Sequence, residues 1–213
     1  MNDFVTDDEQ VERIKEWWKD NASSVITGLV IGLAILFGWP QWVKYRENLA
    51  AEASTHFAKM TNALENSQRE NVINEANIII EEYGSSAYAS LARFALAKAF
   101  VDAGEFVKAE QQLSELIKSK PDRPIEMVAR KRLSAILLQQ NKLDDAMNIL
   151  NVDFPADFAA AFEELKGDIQ LKQGKAADAR EAYQRARFAK PPVANPQFLQ
   201  QKLDDLSSTI QTG

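Results

Sequence analysis

The chain has 213 residues, a net charge of −6, a single histidine and no cysteine. The lack of cysteine excludes disulfides, thiolate chemistry and zinc–cysteine sites. From Lys44 onward, 22 basic residues face 24 acidic ones, so there is no basic stripe of the kind nucleic-acid binding needs.

At the N-terminus, "TDDEQVERIKEWW" places Thr6 and Glu9 at capping-box spacing, and Val11, Ile14 and Trp17/Trp18 recur at helical spacing. This predicts an acidic amphipathic N-terminal tail over residues 1–21, whose helix from Thr6 lies in the interface and leads into the next segment. From Ala22 to Val43 there is no charged residue over 22 positions. A helix of that length rises about 33 Å, enough to cross a hydrocarbon layer of about 30 Å. All four tryptophans flank this run, Trp17 and Trp18 before it, Trp39 and Trp42 at its far end. Tryptophan favours the headgroup level, where the ring is buried and the indole N–H stays wet, so the four form aromatic belts at the membrane interface.

A cleaved signal peptide has a shorter apolar core and a basic leading flank, whereas this flank is acidic. Residues 22–43 therefore read as an uncleaved transmembrane anchor. Pro40, in the last turn of the span, is expected to kink or end it. Gly28 and Gly32 form a small-xxx-small pair that lets a second helix approach, a candidate partner contact that leaves homo-oligomerisation open. Orientation is not decided by charge: Arg13, Lys15 and Lys19 precede the span, and Lys44, Arg46 and Lys59 follow it.

Residues 44–213 read as helical throughout. Leu49, Ala53, Phe57, Met60 and Leu64 form one apolar stripe, and Val72, Ile73, Ala76, Ile79, Ile80 and Tyr83 a second. Gly84-Ser85-Ser86 breaks the pattern, and no alternating run bounded by hairpin residues predicts a strand. Then "ARFALAKAFVDAGEFVKAEQQLSELIKSKPD" (Ala92–Asp122) resembles a tetratricopeptide repeat. Small Ala97 and Ala109 let two antiparallel helices approach, and Gly104 takes the turn. Leu133, Leu137, Leu143, Ala146 and Leu150 repeat the pattern around Asn141, and Gly167, Ala179, Tyr183 and Ala186 repeat it around Gly174.

These turn residues are 37 and 33 positions apart, close to the usual period of about 34. Lys166 stands where an apolar residue is usual. The two helices before Gly84, and a last one around Phe198–Ser208, are expected to cap the stack. The proline-rich "KPPVANPQF" connector (Lys190–Phe198) would close it. The fold class is all-α: a single N-terminal transmembrane helix followed by a tetratricopeptide-like helical-repeat solenoid.

Nothing asks for an enzyme. His56 has no nucleophile motif beside it, and Glu81-Glu82, Asp144-Asp145 and Asp204-Asp205 are sequence neighbours that point about 100° apart on a helix. No cofactor or metal is implied. The Phe154, Phe158, Phe162 stripe reads as core, and Arg130-Lys131-Arg132 as a solvated face. Binding, if any, falls to the concave face of the solenoid, with Arg93, Lys98, Arg130 and Gln170 on the first helices as candidate partner contacts.

Taken whole, "VERIKEWW", "GLVIGLAILFGWPQW", "YGSSAYASLARFALAKAFVDAGEFVKAEQQL" and "LKGDIQLKQGKAADAREAY" resemble the ancillary SecYEG translocon subunit family (the YfgM type) of Gram-negative inner membranes. The resemblance implies a cytoplasmic N-terminus, a periplasmic repeat domain, and association with the Sec translocon and a membrane-anchored periplasmic chaperone of the prolyl-isomerase type. It implies a non-enzymatic scaffold or co-chaperone that passes unfolded exported polypeptides to periplasmic chaperones. Two other readings stay open: a regulatory adaptor whose acidic tail (Met1–Asp20) holds a cytoplasmic signalling partner, and an assembly protein for outer-membrane components.

Overall fold

The computed structural model describes residues 7–211, which form helices joined by short turns with no strand among them. Helix α1 runs from Asp7 to Glu65 as 59 continuous residues. It does not end at Pro40, which lies inside it. The missing proline N–H removes one helical bond, which flanking turns tolerate. The Thr6–Glu9 capping box falls outside the described residues. Contacts divide the chain after Glu52 into two units.

In the first unit, Val11, Ile14, the four tryptophans and the apolar side chains from Val25 to Phe37 are exposed. The most apolar 18-residue window has a mean hydropathy of 2.0 and none of it is buried within the protein. The Thr27 hydroxyl donates to the Ser23 carbonyl at 2.7 Å, which satisfies a polar group that lipid could not.

The second unit begins at Ala53 and holds the C-terminal turns of α1 followed by α2 (Arg69–Glu82), α3 (Ala87–Asp102), α4 (Phe106–Lys118), α5 (Arg123–Gln139), α6 (Leu143–Leu150), α7 (Ala156–Lys172), α8 (Ala176–Phe188) and α9 (Pro196–Gln211). Four turns join successive helices into antiparallel pairs, and all four share one backbone design. Ser67, Gly104, Asn141 and Gly174 have φ of 56°, 73°, 61° and 78°. The next residue's N–H bonds back to a carbonyl of the preceding helix: Gln68 to Ala63 and Glu105 to Phe100 at 2.8 Å, Lys142 to Leu137 and Lys175 to Gln170 at 2.9 Å. The turn residue bonds to the carbonyl three positions before it. This is the Schellman ending, which needs a left-handed residue; asparagine supplies it at Asn141. Ser67 makes the α1–α2 pair a repeat as well, 37 residues ahead of Gly104.

Aligned on these turns, the repeats trade volume between facing helices. Seven residues before the turn stand Met60, Ala97, Ser134 and Gly167; nine after it stand Ala76, Leu113, Leu150 and Tyr183. All eight are buried. The largest residue of the second set, Tyr183, faces the smallest of the first: a Cβ on Gly167 would lie 2.4 Å from two Tyr183 ring carbons. At Ser134 the hydroxyl donates to the Ala146 carbonyl at 2.8 Å, so the buried oxygen is satisfied.

Phe162 is fully buried, and Phe154 and Phe158 pack against the same core, with ring centroids 4.9 and 6.2 Å from Phe162. Lys166 pairs with Glu163 at 3.3 Å and lies 5.0 Å over the Phe154 ring, so a cation is accommodated at this apolar position. Val193 of the proline-rich connector is buried, and α9 buries Leu199, Leu203 and Leu206 while Gln200, Gln201 and Asp204 stay exposed. A polar outer face is what a terminal cap requires.

Candidate functional site

The first helices of the pairs touch in series, α3 against α5 and α5 against α7, and form the inner layer of the stack. Two grooves lie on this layer. One, of 350 Å³, is lined by Ala97, Lys98, Val101 and Asp102 of α3, Leu113 of α4, and Arg132, Ala135, Ile136 and Gln139 of α5. The other, of 360 Å³, lies between α3 and the α1–α2 turn region, lined by Ala63, Leu64, Ser67, Arg69 and Val72 opposite Lys98, Ala99, Asp102 and Ala103. Lys98 and Asp102 line both, paired at 2.8 Å. The site is therefore an apolar trough with a neutralised ion pair on its dividing ridge. Its geometry suits extended chain segments.

Of the expected contacts, Lys98 is on this face. Arg93 and Arg130 line neither groove. Arg93 donates to Glu115 of α4 at 2.6 Å and Gln112 at 3.4 Å. Arg130 donates to Glu126 at 2.7 Å and to the Ile149 carbonyl of α6 at 3.3 Å. Both residues lie 11 positions before their turn, as do His56 and Glu163. Each of these also ties its helix to the second of the pair: His56 Nδ1 to Glu75 at 2.6 Å, and Glu163 to Arg185 at 2.6 Å. In the first and last of these arginine–glutamate ties the charges are exchanged, Arg93–Glu115 against Glu163–Arg185. In the α5–α6 pair the matching position is Val152, beyond the end of α6 at Leu150, so no carboxylate stands there.

The electrostatics reflect these ties. The Glu115 carboxyl is held below the usual carboxylate value by hydrogen bonds from Gln111 and then Arg93. Glu126 is lowered in the same way, chiefly by the Arg130 hydrogen bond. At the C-terminal cap, burial and the Asp168 hydrogen bond push the Tyr183 phenol far up. Burial opposes the charge on Lys202, yet its bonds to Asp168 (2.7 Å) and Glu164 (2.9 Å) outweigh that and raise it.

Gln170 sits four positions before its turn, where Ala63, Phe100 and Leu137 stand in the other pairs. Its backbone carbonyl takes the Schellman bond, and its side-chain oxygen is buried without a partner. Gly28 and Gly32 present open space, with nothing within 4 Å of an added Cβ. Trp39 and Trp42 rings lie 5.4 Å apart, with the Arg46 guanidinium 5.3 Å over Trp42. Sequence reasoning read Arg132 only as part of a solvated face; it lines the α3–α5 groove with its guanidinium 4.6 Å over the Phe94 ring. Its signal was its place two residues beyond Arg130, far enough around the helix to leave the pair contact for the inner face.

Known proteins resemble this one over nearly its whole length. It is 26% identical to the ancillary SecYEG translocon subunit of Haemophilus influenzae, covering 95% of this chain and 98% of that protein. It is 25% identical to the protein of the same name from Escherichia coli, covering 97% and 100%. Among solved structures, the MamA RS-1 ArsTM double mutant superposes with a TM-score of 0.54 at 15% identity, covering 76% of this chain and 97% of that one, a likeness of fold. The description of the matching family model is a tetratricopeptide repeat-like domain, and it covers residues 15–208. With the four left-handed turns and the size-matched helix pairs inside that range, the chain belongs to the tetratricopeptide repeat-like domain family.

Proposed function

We propose that this protein is a non-enzymatic scaffold and co-chaperone, held in the inner membrane by residues 22–43, that works beside the Sec translocon. The N-terminus lies in the cytoplasm and the repeat domain in the periplasm. There the inner face receives unfolded segments of exported chains and passes them to a membrane-anchored chaperone of the prolyl-isomerase type. The observation that carries this reading is whole-length similarity to two ancillary SecYEG translocon subunits, which includes the apolar segment as well as the repeats. The unburied apolar stretch of α1 supports the membrane placement, since exposing it to water would be costly. The two apolar grooves support the binding of extended segments.

The test is co-purification of the C-terminally tagged protein from membranes in mild detergent, with quantitative mass spectrometry of translocon and chaperone subunits. Enrichment of both is expected. A variant with its span replaced by an unrelated one is expected to lose the translocon if Gly28 and Gly32 make that contact. Recovery of a cytoplasmic regulator alone would refute the scaffold and favour an adaptor. A reporter fused at the C-terminus that is active in the cytoplasm would refute the periplasmic placement.

A further inference from the structure

We propose that Arg132 makes the α3–α5 groove selective for chain segments that carry a carboxylate beside an apolar side chain. This rests on the reading of the inner face as a binding surface for exported chains and names the chemistry it prefers.

The floor of the groove is apolar, from Ala97, Val101, Leu113, Ala135 and Ile136. Its charged rim consists of Lys98, Asp102 and Arg132. Lys98 and Asp102 cancel each other at 2.8 Å. Arg132 makes no ion pair among the described residues, in contrast to Arg93 and Arg130 on the same layer. The groove therefore carries an uncompensated positive charge directly beside apolar surface.

The guanidinium is also oriented. Its carbon lies 4.6 Å from the centroid of the Phe94 ring, so a cation–π contact restrains it while its N–H donors remain available. A restrained fork loses less freedom on meeting a carboxylate than a free lysine would. An acidic segment with an adjacent apolar residue satisfies both parts of the site. A lysine-bearing segment meets an uncompensated like charge and is disfavoured.

The test uses the full chain in detergent and fluorescence anisotropy of three labelled extended peptides, identical except for Asp, Asn or Lys beside a leucine. The Asp peptide is expected to bind about five- to tenfold tighter than the Asn peptide, the scale of the difference between a charge-assisted and a neutral hydrogen bond, with the Lys peptide weakest. Added salt should narrow the Asp–Asn difference. Arg132→Gln should level the two, whereas Arg132→Lys should retain part of the preference. Ala135→Trp, at an exposed position of the groove, should remove binding of all three. Equal binding of Asp and Asn peptides, or a preference that survives Arg132→Gln, overturns the inference. Should Ala135→Trp still block binding in that case, the groove reading stands without it. If no peptide binds, or Ala135→Trp has no effect, the groove itself is the wrong surface and both ideas fall.

Discussion

Replacing Gly167 by alanine tests the volume exchange between facing helices most directly. An added Cβ would lie 2.4 Å from both Cδ1 and Cε1 of Tyr183 and 3.0 Å from Cζ, against the ~3.5–4.0 Å at which carbons rest comfortably. Tyr183 cannot step aside cheaply: its ring is fully buried and its hydroxyl donates to Asp168 at 2.7 Å. Alanine gains about 1 kcal/mol of helix propensity over glycine. Overpacking costs about 1–3 kcal/mol, and displacing the partly buried hydrogen bond about 1 more. The net expectation is a loss of about 2 kcal/mol, or about 4–8 °C in Tm for a domain of this size.

Thermal unfolding of the detergent-solubilised chain, followed by far-ultraviolet circular dichroism, measures it. The double variant Gly167→Ala/Tyr183→Leu rebuilds the Ala97–Leu113 arrangement of the second repeat and should recover much of what the alanine costs. A neutral or stabilising Gly167→Ala, or a double variant that loses the plain sum of the two singles, would refute the exchange.

Other expectations follow from the turns and the ties. Gly104→Ala should destabilise by about 1 kcal/mol because alanine pays for a φ of 73°, whereas Ser67→Gly should stabilise by about 0.5 kcal/mol at φ 56°; both are read from the same melts. Glu163→Arg should cost about 2 kcal/mol by placing a third cation beside Lys166 and Arg185, and adding Arg185→Glu should restore most of it by reproducing the Arg93–Glu115 polarity. Glu115 and Glu126 titrate below the ordinary value of 4.5 in the fold. Their stabilisation is therefore complete above that value and is lost as pH falls through the depressed one. The stability difference between the native protein and Arg130→Met, measured by urea unfolding, should shrink as pH drops below 4.5.

The fold was legible where a single backbone demand dictates a residue type. Gly104 and Gly174 announce left-handed turns, and Asn141 is the residue after glycine that best tolerates one. Ser67 fills the same role without the compositional mark, so the α1–α2 pair reads from sequence as a plain cap. Its membership shows only in the spacing to Gly104 and in the shared Schellman bonds. Its size pattern is inverted as well, with large Met60 before the turn and small Ala76 after it, where the other pairs place the small residue first. A search for small residues at fixed positions therefore misses it. Pro40 does not end α1: its missing N–H costs one helical bond, and the turns on either side continue the helix through it.

The candidate binding face was less legible because a charged side chain on a helix has two uses that composition does not separate. Arg93 and Arg130 have the right charge on the right helices, yet both are spent on joining the two members of a pair. The register against the turn separates these uses. A residue 11 positions before the left-handed turn faces its own second helix, whether it is His56, Arg93, Arg130 or Glu163. Lys98 and Arg132, six and nine positions before their turns, lie on the inner grooves instead. Tie residues can exchange sign with their partner and leave the fold intact, as Arg93–Glu115 and Glu163–Arg185 do. Arg132, unlike Lys98 with its Asp102, has no ion-pair partner among the described residues to exchange with. Changing the sign of Arg132 therefore changes what the surface attracts, while reversing an entire tie leaves that attraction as it was.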